Sequence, residues 1–212
     1  MKREFSTKPE NMKEEWPGEL SMFSWMDFVT GIPLPLFVVT GYKSNNQPNA
    51  TMQSWASFVS DAGEFVCVLG SANKFGHMYH SLKETGCCVL NFYSSDLNKQ
   101  MHGTIENNQF AVDEITSAGL TVEKAVVVNA PRIVECFLNM ECEFLWEKPC
   151  FEHSDNTVVA LKVVHIAMNS DQYNGLGRYG KTGYCYNINM PRSPDSGEVV
   201  GGEIATLELH KE

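Results

Sequence analysis

The chain has 212 residues, 43% of them apolar and 11% aromatic, enough to bury a real core in one domain with arms or in two small ones. Sixteen basic against 26 acidic residues give a net charge of −10, and no basic run offsets it, so the overall field disfavours nucleic acid and anionic membrane surfaces. An anionic ligand would need a local site.

Seven cysteines, at 67, 87, 88, 136, 142, 150 and 185, include no Cys-x-x-Cys pair and sit mostly in apolar runs. They read as reduced core thiols of a cytoplasmic protein. The first ten residues lack the apolar stretch of a signal peptide, and nothing approaches the roughly 20 apolar residues of a membrane helix.

Residues 1–20 mix Lys, Glu, Pro and Gly around isolated apolar residues and read as an N-terminal arm, frayed or folded onto a partner subunit. Met22, Phe23, Trp25, Met26 and Phe28 are too apolar to be left in water, so the ordered domain is expected over residues 21–212. Residues 34–42 form a β-branched and aromatic run, and Asn45-Asn46-Gln47 supplies turn residues for a hairpin into residues 48–61. That second stretch carries Asn49, Thr51, Gln53, Ser54 and Ser57. An unpaired polar group on a buried face costs about 2–7 kcal/mol, so something polar should meet them, and the stretch reads as a ligand-holding strand and turn.

Residues 64–69 form another apolar run. Phe75, Met78, Tyr79 and Leu82 then follow helical spacing within residues 74–84, with Gly86 as a stop. Residues 87–93 return to strand character, and residues 96–101 fit a helical turn. Residues 133–147 alternate apolar with polar, which predicts one long strand whose glutamates all face solvent. Residues 157–168 are a second long β-run, residues 169–202 an extended Gly-, Asn-, Tyr- and Pro-rich segment, and residues 204–209 a last short strand. Roughly seven strands with one or two short helices exclude an alternating βαβ pattern and predict a mainly β, antiparallel barrel with short helical insertions.

Gly175-Leu-Gly-Arg-Tyr-Gly180 matches the dinucleotide pattern G-x-G-x-x-G, and residues 175–182 match the P-loop pattern letter for letter. Both need a helix leading out, whose amides face the phosphates. Here Tyr184-Cys-Tyr-Asn-Ile-Asn-Met and then Pro191 and Pro194 follow, without helical period, so a glycine-rich loop is the better reading. His77 and His80 have no third ligand near them in sequence, no metal site is expected, and no histidine forms a triad with a serine or cysteine. Ser71, Asn73, Lys74 and His77 lie about a helix start, where amides and dipole favour an anion; a solvated lysine opening a surface helix is the equal alternative.

Pro33-Leu-Pro-Leu-Phe-Val-Val-Thr-Gly41, Pro48-Asn-Ala-Thr-Met-Gln-Ser-Trp-Ala-Ser-Phe-Val-Ser60, the stretch 74–86 ending Glu84-Thr-Gly86, and Val89-Leu-Asn91 together resemble the flavin reductase-like, FMN-binding split-barrel family, flavoredoxins included. Pro131-Arg-Ile-Val-Glu-Cys and residues 158–168 are similar to its later strands. The resemblance implies a split β-barrel of antiparallel, Greek-key-like strands, and a homodimer with FMN at the subunit interface. It puts Asn49, Thr51, Met52, Gln53, Ser54 and Trp55 beside the flavin, and Ser71, Lys74, Phe75 and His77 at the phosphate end. Trp55 either packs on the ring or fills the barrel wall. Two departures stand out: Asp61-Ala-Gly replaces Asx-Pro-Pro, and Met78 stands where a hydroxyl residue often helps bind the phosphate.

The resemblance implies an FMN-dependent oxidoreductase, most simply an NAD(P)H:flavin reductase, and alternatively a flavoredoxin-type electron carrier without nicotinamide activity. A redox protein or a flavin-using monooxygenase would be its partner. The redox chemistry would belong to the flavin, so no catalytic acid or base is named.

Overall fold

Seven antiparallel strands carry the fold of the larger of two compact units in the computed structural model, which describes residues 2–210. In chain order the elements are α1 (Glu19–Met22), α2 (Trp25–Thr30), β1 (Leu34–Pro35), β2 (Phe37–Tyr42), β3 (Pro48–Gln53), β4 (Ala56–Asp61), β5 (Glu64–Asn73), α3 (His77–Thr85) and β6 (Cys87–Phe92). After a 3-10 turn (Ser95–Leu97) come α4 (Asn98–Glu106), α5 (Glu114–Ser117), β7 (Val122–Lys124), β8 (Pro131–Ile133), β9 (Leu138–Lys148), β10 (Asn156–Met168), α6 (Ser170–Tyr173), β11 (Cys185–Asn187) and β12 (Ile204–Thr206). The larger unit holds residues 35–185 and 206–210, the smaller residues 2–34 and 186–205.

The strand order of the main sheet is β3-β2-β6-β9-β10-β5-β4. Strands β3 and β4 are therefore its two edges, although only Ser54 and Trp55 separate them in sequence. Three peptide steps span at most about 10 Å, so the sheet must curl until its edges nearly meet, with no ladder between them. That is a split barrel. Register shifts at Thr157/Val159, Ala160/Leu161 and Val163/His165 give β10 the bends that such curvature needs.

Alternation fills the interior. Phe37, Val39, Cys67, Leu69, Cys88, Leu90, Met140, Cys142, Val159 and Leu161 are all buried there, and Met78 and Leu82 of α3 close one end. Met78, at a position where the family often has a hydroxyl, is thus spent on packing. The Phe37, Phe58 and Phe92 rings meet at 5.0–6.1 Å between centroids. Burying each such ring contributes about 1.5–3 kcal/mol.

The other face of β2, β6 and β9 is covered by the β7–β8 hairpin over a polar layer. Asn91 Nδ2 donates to the Val38 carbonyl and to Thr40 Oγ1, each at 3.0 Å, and Asn91 Oδ1 accepts from Asn139 Nδ2 at 2.9 Å and from Ile133 N at 3.1 Å. Glu141 accepts the amides of Val126, Val127 and Val128 at 2.8, 2.7 and 3.2 Å, with Arg132 Nη1 at 3.6 Å.

This corrects the reading of residues 133–147. They do not form one strand, because the chain turns after Ile133 (Cys136 N donates to the Ile133 carbonyl) and re-enters the sheet at Leu138. Nor do all the glutamates face solvent. Glu141 is fully buried, since the covering loop presents three amides that need an acceptor, while Glu143 lies beyond the cover and is exposed. The helix expected from Lys74 starts at His77, because Asn73 caps a tight turn first: its Oδ1 accepts from Phe75 N at 2.8 Å and its carbonyl from Gly76 N at 3.0 Å. Gly86 ends the helix in the left-handed region, with φ 70°.

In the smaller unit Met12 and Glu19 are buried. Arg192 pairs with Glu19 through two bonds of 3.0 and 2.7 Å and lies 4.2 Å from the centre of the Phe28 ring. The Arg192 hydrogen bond holds the Glu19 carboxyl below its ordinary value of 4.5. Residues 2–20 and 186–205, remote in sequence, are joined by this pair.

Candidate functional site

The site begins at β3, an edge strand of the main sheet whose first three residues are buried. The register Gly41↔Asn49, Val39↔Thr51 and Phe37↔Gln53 sets Asn49, Thr51 and Gln53 on one face of the hairpin and Met52 on the other. Asn49 is fully buried; its Nδ2 reaches Thr51 Oγ1 only at 3.5 Å and its Oδ1 has no partner among the described residues. Thr51, Met52 and Gln53 are half-buried. Polar character on this strand therefore persists in the folded chain with one acceptor unspent.

Ser54 and Trp55, also half-buried, cross the split. Gly70 N donates to the Trp55 carbonyl at 2.6 Å, which sets the crossover against the end of β5. A Cβ on Gly70 would stand 3.2 Å from that carbonyl oxygen and would press the crossover back by a few tenths of an ångström, so glycine suits the close approach. Half-buried Ser71 follows directly. The turn beyond holds Lys74, whose Nζ donates to the Ser154 carbonyl at 2.8 Å and whose amide donates to that of Asp155 at 2.9 Å. Phe75 is 75% exposed. Gly76, the N-cap of α3, supplies no side-chain acceptor, so the first amides of a nine-residue helix lack a side-chain cap.

His77 opens α3 with its Nδ1 3.4 Å from Glu114 Oε1. That carboxylate is itself buried: Lys43 Nζ donates to Oε1 at 2.9 Å and the Ala50 amide to Oε2 at 2.7 Å. Lys43, also buried, donates further to the carbonyls of Gln109 at 3.0 Å and Val112 at 2.6 Å. The Phe110 ring lies edge-on to His77, with centroids 6.0 Å apart. Glu114 thus links β3 between Asn49 and Thr51 to the start of α3.

The expected residues accordingly form two groups. Asn49, Thr51, Gln53 and His77 are joined through Ala50 and Glu114, and Ser54, Trp55 and Ser71 through the Gly70 bond. Lys74 is tied instead to the loop before β10. Lys43, Glu114 and Phe110 were not anticipated. Asp113, whose Oδ1 accepts from Ile115 N and Thr116 N, is a helix N-cap readable from sequence, but nothing local shows that the next residue is buried.

Other candidates lose ground. Residues 183–184 run from the Gly175–Thr182 loop directly into β11, so no helix faces a phosphate there. That loop instead helps line a separate cavity of about 560 Å³ with Leu176, Tyr179, Lys181, Leu207 and Leu209, which holds none of the expected residues. Burial pushes the Cys67, Cys87 and Cys136 thiols up, and the Cys185 thiol to about 11, away from nucleophilic use. Cys150 alone among the free cysteines is exposed.

The domain is thus an antiparallel split barrel with a polar edge strand and, nearby, a helix start without a side-chain cap. The flavin reductase like domain matches residues 29–187, and the chain belongs to that family. An uncharacterized protein of Methanothermobacter thermautotrophicus is 27% identical over 145 residues, 68% of this chain and 67% of its own. Among solved structures, nitrilotriacetate monooxygenase component B from Bacillus cereus superposes with a TM-score of 0.73 at 18% identity, covering 100% of both chains. The flavoredoxin of Desulfovibrio vulgaris (Miyazaki F) does so with 0.68 at 19% identity, over 85% of this chain and 90% of its own. These structural likenesses bear on the fold, and they agree with the split barrel expected from residues 33–91 and the later strands.

Proposed function

We propose that this chain is a flavin-dependent oxidoreductase that holds FMN along the β3 edge and is reduced by NAD(P)H, that is, an NAD(P)H:flavin reductase. Membership of the flavin reductase-like family over residues 29–187 carries the reading. The donor set fits the cofactor: the α3 amides without a side-chain cap, Ser71 Oγ and the Lys74 ammonium suit a phosphate, and the unspent acceptor of Asn49 lies on the hairpin face that would meet a polar ring edge. Lys43 does not compete for the phosphate, since three oxygens already take its ammonium.

When bound, the isoalloxazine supplies the hydride and electron chemistry. The chain's residues bind and orient it. Thr51, Met52, Gln53, Ser54 and Trp55 would form its wall, and Lys74, Phe75 and His77 its phosphate end. The mostly exposed edge strand β4 also suits a second copy of the chain, so a homodimer with the flavin at its interface belongs to the same reading. A flavoredoxin-type carrier is the alternative, favoured by the fold shared with the Desulfovibrio flavoredoxin.

Anaerobic absorbance spectroscopy separates the two. Purified protein with FMN should show a bound flavin band near ~450 nm that bleaches promptly with NADH or NADPH. Bleaching only by a low-potential donor would establish the carrier. If no flavin is retained, with FMN or FAD, the cofactor assignment fails.

A further inference from the structure

Glu114 is an acidic side chain that touches both β3 and the start of α3, and nothing in the family resemblance assigned it a role. Its side chain is 1% exposed, as is that of its counter-ion Lys43. A carboxylate buried this deeply needs partners for both oxygens, and it has them: an ammonium, a strand-edge amide and an imidazole nitrogen. Lys43 is satisfied by two carbonyls besides Glu114, so its charge is committed inward. Only one partner of Glu114 reaches solvent, and that is His77, with 26% of its side chain exposed.

The ring of His77 cannot turn freely. Its Nδ1 lies 3.4 Å from Glu114 Oε1, a contact that suits a hydrogen on Nδ1, and Nε2 lies on the opposite flank of the ring, away from Glu114. The Phe110 ring bounds one side. His77 is also the first residue of α3, beside amides that no side chain caps.

Resting on the flavin reading above, we propose that Glu114 is a positioning residue: it fixes the orientation of the His77 imidazole so that Nε2 takes part in recognising the phosphoryl group of the flavin, making the protein selective for FMN over unphosphorylated riboflavin. A carboxylate behind a histidine orients the ring, as it does at metals, and favours the imidazolium form, in which the far nitrogen also carries a hydrogen and can donate to an anion. The Ala50 amide on the other oxygen locks the carboxylate to β3, so the orientation is referred to the strand that forms the wall of the site.

The test compares FMN and riboflavin dissociation constants for the full-length chain by fluorescence quenching. Glu114→Gln should weaken FMN about tenfold, as loss of a charge-assisted bond implies, and leave riboflavin within about twofold. His77→Asn, at a partly exposed position that leaves the Lys43–Glu114 pair intact, should reproduce that loss. The double variant should lose no more than either single one. A merely structural role for Glu114 would weaken both flavins alike, and that outcome overturns the proposal. So do losses that multiply in the double variant, or a His77→Asn protein that binds FMN normally. Failure of the unaltered protein to bind either flavin would instead overturn the flavin reading and this proposal together.

Discussion

Two buried glutamates, Glu114 and Glu141, divide the labour of this barrel. Both are at most 1% exposed, and both accept backbone amides. Glu141 takes three consecutive amides from the loop that covers its own strand, with Arg132 beside it. Glu114 takes one amide, one ammonium and one imidazole, each from a different part of the chain. A carboxylate whose partners all belong to its own cover can only hold that cover in place. One whose partners converge from three elements, with one of them open to solvent, transmits order outward.

Truncation is the strongest way to break that contrast. Glu141→Ala strands three amides and should cost about 3–5 kcal/mol in denaturant unfolding at neutral pH, while folded protein should keep its preference for FMN over riboflavin. A cost below about 1 kcal/mol would mean that water replaces the carboxylate freely. Next in size, Lys74→Glu should weaken FMN by tenfold or more, on the order of 1.4 kcal/mol, and riboflavin far less. Unchanged FMN affinity would remove Lys74 from the site and leave its Ser154 contact purely structural.

Acid sharpens the contrast further. Burial pushes the Glu141 carboxyl up, but the three amide bonds, helped by His165, outweigh it and leave the group below its ordinary 4.5. A depressed folded value means that stability is fully present above the unfolded value and drains away as pH falls through the folded one. The melting temperature should therefore drop on acidification below about pH 4.5, less steeply in Glu141→Gln. An identical slope in the variant would assign the acid sensitivity to other carboxyls, Glu19 beside Arg192 foremost. The smallest effect lies outside both glutamates. Ala62 and Gly63, with φ of 52° and 81°, turn β4 into β5, and Ala62→Gly should stabilise by about 0.5–1 kcal/mol, read as a shift in unfolding midpoint.

Local pattern revealed what local physics decides. Strands β2, β6 and β10, helix α3 and its Gly86 stop follow from β-branched runs, helical spacing and a glycine able to adopt positive φ. The polar edge of β3 was visible because Asn49, Thr51 and Gln53, followed by Ser54 and Ser57, have no apolar explanation. The break before β9 was hidden, since Val134 and Cys136 continue the alternation through a turn that only the Ile133–Cys136 bond discloses. Glu141 looked like a solvent-facing member of a regular series because its acceptor role is created by Val126–Val128, an amide run that carries no side-chain signal. Lys43 and Glu114 are 71 residues apart, and a pair at that separation leaves no trace in either neighbourhood.

The crossover at Ser54 and Trp55 also constrains how the chain acquires its shape. Hairpins β2–β3 and β4–β5 are made of neighbouring residues and can form early, yet the two-residue leash holds them at opposite edges of a sheet whose middle has not been made. Strand β5 must wait for β10, more than eighty residues downstream, before its second edge is paired. Without residues 156–162 the β5 edge has no partner, and it is the pairing of β9 with β6 and of β10 with β5 that joins two tethered hairpins into one curved wall.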